Sequence, residues 1–294
     1  MVNVPETLRP LYPFSPHVFT TALGARMNYV DVGEGSEVVL MLHGNPTWSF
    51  YYRELAKALA PRYRCIVPDH IGMGLSDKPQ NYPYTLETRI DDLEALVAKL
   101  GIERCHLVVH DWGGAIGFGL AARQLERIDR IVILNTAAFP SVHLPARIAF
   151  CRTAGPGSWF VRGLNGFASP ATWMAMHRRA LTEAEKQGYL WPYRSWADRV
   201  AIDAFIKDIP MSADHRSWST LKKAESAVAQ LHDRSALICW GGRDFCFNDH
   251  FYEEWRERLP QAETLYLADA GHYVLEDAAS DVIPRIVEFF GAAR

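Results

Sequence analysis

The sequence predicts an α/β fold, with a mostly parallel, doubly wound sheet and an inserted helical cap. Short apolar runs alternate with helical patterns at both ends of the chain. That rhythm stops between about 138 and 225, and several of the apolar runs are followed by Gly-containing turns that carry polar side chains. Alternating β and α patterns are the signature of a parallel sheet with helices on both faces. The expected organisation is therefore a first core part at 1–137, a cap at 138–225 and a second core part at 226–294.

Taken in order, residues 17–32 alternate polar and apolar and suit an antiparallel edge pair. Residues 37–42 (EVVLML) are the first buried-strand candidate, followed by helical spacing over 50–59. A strand is expected at 65–68 and a helix at 86–100, with acidic residues early and apolar ones at helical intervals. Next come a strand at 106–109, a helix at 115–123 and a strand at 131–134. After the interruption the alternation resumes with strand 236–240, helix 249–259, strand 264–267 and helix 280–290. The interruption is rich in Trp and Arg, has helical patches at 173–179 and 183–189, and carries six prolines between Pro140 and Pro210. An insertion of that kind reads as a lid over the C-terminal sheet edge, where open α/β folds place their sites.

Composition excludes several classes. Of 294 residues, 49% are hydrophobic and 22% charged, with 31 basic against 34 acidic residues and a net charge of −3. Disorder requires less hydrophobicity and more net charge. A nucleic-acid partner usually needs a basic stripe, and the chain offers none. No apolar stretch is long enough to span a bilayer. The opening Met-Val-Asn-Val-Pro-Glu has neither the basic start nor the apolar core of a signal peptide, so a cytoplasmic location is expected. Cys65, Cys105, Cys151, Cys239 and Cys246 form no CxxC pair or zinc spacing and read as reduced thiols. His43, His70 and His110 likewise lack ligand spacing, and neither metal nor cofactor is expected.

Four local patterns carry chemistry. Val108-Val109-His110-Asp111-Trp112-Gly113-Gly114 follows a strand and opens a helix, which is the setting of a nucleophile elbow with Asp111 at its apex. A carboxylate needs no base before it attacks an electrophilic carbon bearing a good leaving group. Asp is also a favoured helix N-cap, so this pattern alone leaves a structural role open. Asp244, in Gly241-Gly242-Arg243-Asp244, and His272, in Ala270-Gly271-His272-Tyr273, each follow a late strand. Singly they read as a turn former and an ordinary histidine; in the order nucleophile, acid, histidine they match the α/β-hydrolase triad. In His43-Gly44-Asn45-Pro46-Thr47-Trp48, Asn45 sits where this fold places one oxyanion-hole N–H, and Trp112 follows the nucleophile and supplies the other. Both also carry side-chain N–H donors suited to a departing anion. The glycine-rich stretch 69–77 lacks a dinucleotide or P-loop register and reads as a structural turn. Trp159, Phe160, Trp173, Trp191, Tyr193 and Trp196 read as lid packing.

These motifs (HGNPTWS at 43–49, DHIGMGLSDKP at 69–79, HDWGG at 110–114, GRD at 242–244 and GHYVLED at 271–277) resemble the haloalkane dehalogenase-like branch of the α/β-hydrolases over nearly the whole chain. The resemblance implies Asp111 as nucleophile, His272 as base, Asp244 as acid, and Asn45 with Trp112 as the halide-stabilising pair. One dehalogenase subgroup takes its acid after the strand at 131–134; Asn135 stands there and cannot serve. The Asp acid with an Asn–Trp pair is similar to the third dehalogenase subfamily, and also to the β-lactone decarboxylases of long-chain olefin biosynthesis. Segments 134–139, 162–167 and 244–247 look more like the latter. The leading expectation is decarboxylation of cis-β-lactones (3,4-dialkyl oxetan-2-ones) to long-chain cis-olefins and carbon dioxide. The alternative is haloalkane hydrolysis, and a lesser one is epoxide hydrolysis, with Tyr189 and Tyr193 as proton donors. Asp111 excludes a serine esterase; a non-enzymatic receptor usually lacks a triad member, and none is missing. A small hydrophobic substrate is expected, with a homo-oligomer or a biosynthetic enzyme assembly as candidate protein partners.

Overall fold

Residues 4–292 are described by the structure, a computed structural model. Eight strands form one sheet in the order β1-β2-β4-β3-β5-β6-β7-β8. They are β1 His17–Thr20, β2 Arg26–Val32, β3 Val38–Leu42, β4 Arg64–Pro68, β5 Cys105–Asp111, β6 Ile128–Thr136, β7 Ala236–Gly241 and β8 Glu263–Leu267. β1 pairs antiparallel with β2, and β2 antiparallel with β4, at one edge. All other neighbours are parallel. The central strands β3, β5, β6 and β7 are buried almost throughout because helices cover both faces, which explains their unbroken apolar runs.

Topology locates the site. From β3 the chain moves to β4 on one side, then returns to place β5 on the other. That reversal opens a crevice beyond the C-terminal ends of β3 and β5, the usual ligand position in a doubly wound sheet. The helices flanking the core begin as the sequence suggests, with two differences. The 50–59 segment divides into a 3₁₀ turn, Ser49–Tyr52, and the helix Arg53–Leu59. The helix after β5 starts at Trp112, directly after the strand, and runs to Arg123.

Between β6 and β7 lie the helices Ala146–Cys151, Ala168–Met174, Glu183–Leu190, Val200–Lys207 and Trp218–Gln230. The helical patch expected at 173–179 is not one. The helix stops at Met174, and the backbone N–H groups of His177 and Arg178 donate instead to Asp277, at 2.9 and 2.8 Å. A carboxylate a hundred residues away replaces the local helix partners, so sequence periodicity had no means of signalling the end. The expected end of the insertion, at 225, falls inside Trp218–Gln230, which packs along Trp112–Arg123 of the core. Among the described residues no helix is long and apolar enough to cross a membrane.

Candidate active site

Asp111 ends β5 with φ 52° and ψ −125°, a positive-φ backbone outside the left-handed helical region that Asn and Asp tolerate, so the turn is strained. The strain is held by close packing on either side. A Cβ at Gly113 would lie 1.9 Å from the Leu42 carbonyl oxygen, and one at Gly44 would lie 2.0 Å from Asp111 Oδ1, so both positions require glycine. The Asp111 side chain does not cap the helix it precedes. Its Oδ1 accepts from the Asn45 backbone N–H at 2.6 Å, and the Trp112 backbone N–H also favours its charged form.

His272, in the loop after β8, brings Nε2 within 3.7 Å of Asp111 Oδ2. Its Nδ1 donates to Asp244 Oδ2 at 2.6 Å, since an ionised carboxylate only accepts. Asp244 Oδ1 accepts from the backbone N–H groups of Cys246 and Phe247, at 2.7 and 3.1 Å. One carboxylate therefore both forms the turn after β7 and orients the histidine. Phe247 stacks on the His272 ring with an interplanar angle of 17°. His110 Nε2 meets the His272 carbonyl oxygen at 3.0 Å, and Tyr51 stacks on His110.

Electrostatics follow from burial. Asp111 is 7% exposed, and desolvation raises its pKa above the usual carboxylate range despite His272 and the two N–H donors. Burial pulls His272 down, but Asp244 and then Asp111 outweigh it and hold the imidazole above its ordinary value. His43, by contrast, bonds the Gly44 carbonyl at 2.8 Å, and desolvation takes it down to about 4. His43 and His70 bond to each other's backbone, so neither is arranged as a metal ligand.

Asn45 and Trp112 both line the cavity above Asp111. Asn45 Nδ2 donates to the Ile202 carbonyl at 3.2 Å, which leaves its second N–H for another acceptor. The Trp112 ring leans on Phe205 at 5.3 Å. Asn135 bridges β6 to β7, its amide bonding both the N–H and the carbonyl of Gly241 at 2.8 and 3.0 Å, a structural position. Tyr189 OH donates to Glu276 at 2.7 Å, in an ion cluster with Arg53 and Arg179, and Tyr193 OH donates to the Thr47 carbonyl at 3.3 Å while accepting from the Gly74 N–H at 3.2 Å. Both tyrosine hydroxyls are occupied by the scaffold, which removes the proton donors an epoxide reading needs.

Several lining residues escaped sequence reasoning. Cys246, Phe247, Ile148, Phe167 and Ile209 all face the cavity. Of the six lid aromatics read as packing, Phe160 and Trp173 line it too. All five cysteines are free; burial raises Cys65, Cys105 and Cys239 to about 12, as inert thiols require.

This fold and strand-end constellation define an α/β-hydrolase. The chain belongs to the alpha/beta hydrolase fold family, whose sequence model matches residues 37–279. It is 46% identical over 288 residues to a cis-3-alkyl-4-alkyloxetan-2-one decarboxylase of Shewanella oneidensis, covering 96% of this chain and 90% of that protein. A protein of the same name from Xanthomonas campestris is 45% identical, covering 95% of this chain and 97% of the relative. Haloalkane dehalogenase 2 of Mycobacterium bovis is more distant, 29% identical with 96% of each chain covered. Among solved structures, the haloalkane dehalogenase DbeA of Bradyrhizobium elkani superposes with a TM-score of 0.83 at 28% identity, covering 95% of this chain and all (100%) of that one. DatA of Agrobacterium tumefaciens gives a TM-score of 0.82 at 25% identity, covering 94% and 96%.

Proposed function

We propose that this chain is a β-lactone decarboxylase that converts cis-3,4-dialkyl oxetan-2-ones to cis-olefins and carbon dioxide, with Asp111 as nucleophile. The observation that carries the reading is the likeness to two decarboxylases at 46% and 45% identity across nearly the full chain, against 29% for the dehalogenase. In this reading Asn45 and Trp112 stabilise the departing carboxylate, and His272, oriented by Asp244, stabilises charge on Asp111. Residues from 138 to about the start of helix Trp218–Gln230 act as the cap.

The chemistry balances without water or a cofactor. Asp111 Oδ2 attacks C4 from the side opposite the ring oxygen; the C4–O bond breaks and its electron pair stays on oxygen as a carboxylate carried by C3. Backside attack leaves the new ester bond anti to the C3–carboxylate bond. The electron pair of that bond then forms the C3–C4 double bond, carbon dioxide leaves, and the ester pair returns to Asp111. One inversion followed by anti elimination keeps both alkyl groups on the same side, which yields the cis-olefin. Because the departing carboxylate on C3 is the only charge that moves away from Asp111, two neutral N–H donors meet its electrostatic demand.

One assay tests the reading. A synthetic cis-β-lactone and a 1-bromoalkane are offered separately, with olefin and bromide quantified. Olefin with little bromide is expected; rapid bromide release and no olefin would establish the dehalogenase instead. A narrower expectation concerns Trp112. Trp112→Phe keeps an aromatic ring against Phe205 but loses the indole N–H, and should slow olefin formation by about 10²–10³-fold, or about 2.7–4 kcal/mol. Wild-type turnover in Trp112→Phe would refute its role toward the anion.

A further inference from the structure

Above Asp111 the cavity forks. One arm, on the Trp112 side, is lined by Leu144, Ile209, Met211 and Leu221. The other, on the His272 side, is lined by Phe150, Phe160, Ala171 and Trp173. Asn45, Asp111, Ile148, Phe167 and Cys246 are common to both and mark the fork. The arms enclose about 850 and 1060 Å³, open mouths included, so the His272 arm is the roomier. A monoalkyl substrate would fill one arm and leave the other wet, at odds with two apolar linings meeting at one nucleophile.

Resting on the decarboxylase reading, we propose that the two arms hold the two alkyl chains of one lactone at once, the C3 chain in the Trp112 arm and the C4 chain in the His272 arm. The assignment follows from the two carboxylate oxygens of Asp111. Oδ1 is held by the Asn45 backbone N–H, whereas Oδ2 faces His272 at 3.7 Å. The attacking oxygen is thus on the His272 side, and C4, to which it bonds, lies there with its chain. The carboxylate borne by C3 must reach Trp112, which draws C3 and its chain to the other side. Ile148 and Phe167, at the fork, hold the chains apart. Chain-length selection is therefore set separately at each carbon, and the longer chain is favoured at C4.

The test uses two cis-lactones, one with octyl at C4 and methyl at C3, the other with the substituents exchanged. The readout is the ratio of their kcat/KM values for olefin formation. Ala171→Trp narrows the His272 arm and should shift that ratio by about tenfold or more toward the C3-octyl substrate, since each methylene denied its place costs about fourfold. Ile209→Trp should shift it the opposite way, and the double variant should bring it back while lowering both rates. Trp173→Ala, which widens the His272 arm at an exposed position, should move the ratio toward the C4-octyl substrate and serves where a filling variant melts early. Ratios that stay put, or that move in the same direction for Ala171→Trp and Ile209→Trp, overturn the two-arm assignment while olefin from the wild type keeps the decarboxylase reading intact. No olefin from the wild type with either lactone overturns both.

Discussion

Asp111→Ala is expected to lose turnover by a factor on the order of 10⁶, the scale seen when a hydrolase loses its nucleophile. The reason is local: in the proposed route Oδ2 forms the bond to carbon, and Asp244, the other carboxylate on His272, is committed to that histidine and to two backbone N–H groups. Asp111→Asn should be equally poor at first, but slow deamidation of the amide would restore activity, so the alanine variant is the cleaner measurement. Circular dichroism on the same sample separates lost chemistry from lost fold, since Ala must still adopt the positive-φ backbone at this elbow. Olefin formation by Asp111→Ala within about tenfold of the wild type would rule out the covalent route.

His272→Ala should divide the two chemistries. With a bromoalkane, Asp111 attacks unaided, so about one bromide per active site is released in a burst before the protein stalls as an alkyl ester. Mass spectrometry would show the added alkyl group on the peptide containing Asp111. With the lactone no water is needed, so olefin formation should continue at a reduced rate and no adduct should accumulate. Absence of both burst and adduct with the bromoalkane, together with no olefin from the lactone, would dismiss Asp111 as an alkyl acceptor.

The pH dependence has the same logic. A hydrolytic step needs neutral His272 to take a proton from water, and Asp244 and Asp111 hold its pKa above the ordinary value. Any bromide turnover should therefore rise with pH only on passing that raised pKa and fall away below it. The proposed olefin-forming route uses His272 as a cation, so kcat/KM should instead decline as pH climbs through the same pKa. Both activities should be lost in acid as pH falls through the raised pKa of Asp111, whose ionised form is the nucleophile. An olefin-forming rate that climbs with pH through the His272 transition would show that the histidine acts as a base here.

Much of the site was legible because its residues sit in short local signatures. An elbow needs small residues beside its apex, and Gly113 and Gly44 stand where any Cβ would collide with Leu42 or Asp111. Asp244 and His272 each follow a strand in a recognisable turn, and the order along the chain does the rest. The edge pair β1–β2 and the parallel centre also follow from alternation and unbroken apolar runs, because a strand's side-chain period is read directly from neighbours in sequence.

Contacts between distant segments were not legible. The helix over 168–174 ends where it does because Asp277 captures the following N–H groups, and Tyr189 is withdrawn from the cavity because Glu276 takes its hydroxyl. Phe160 and Trp173 look like any other lid aromatics in sequence, yet the fold brings them to the wall of the cavity, and Trp159 and Trp196 stand away from that wall. Periodicity and turns of a few residues were enough to predict the sheet, the elbow and the chain order Asp111, Asp244, His272. Where the side chains between β6 and β7 point, and hence which of them line the cavity above Asp111, depends on partners a hundred residues away, for which local propensity has no term.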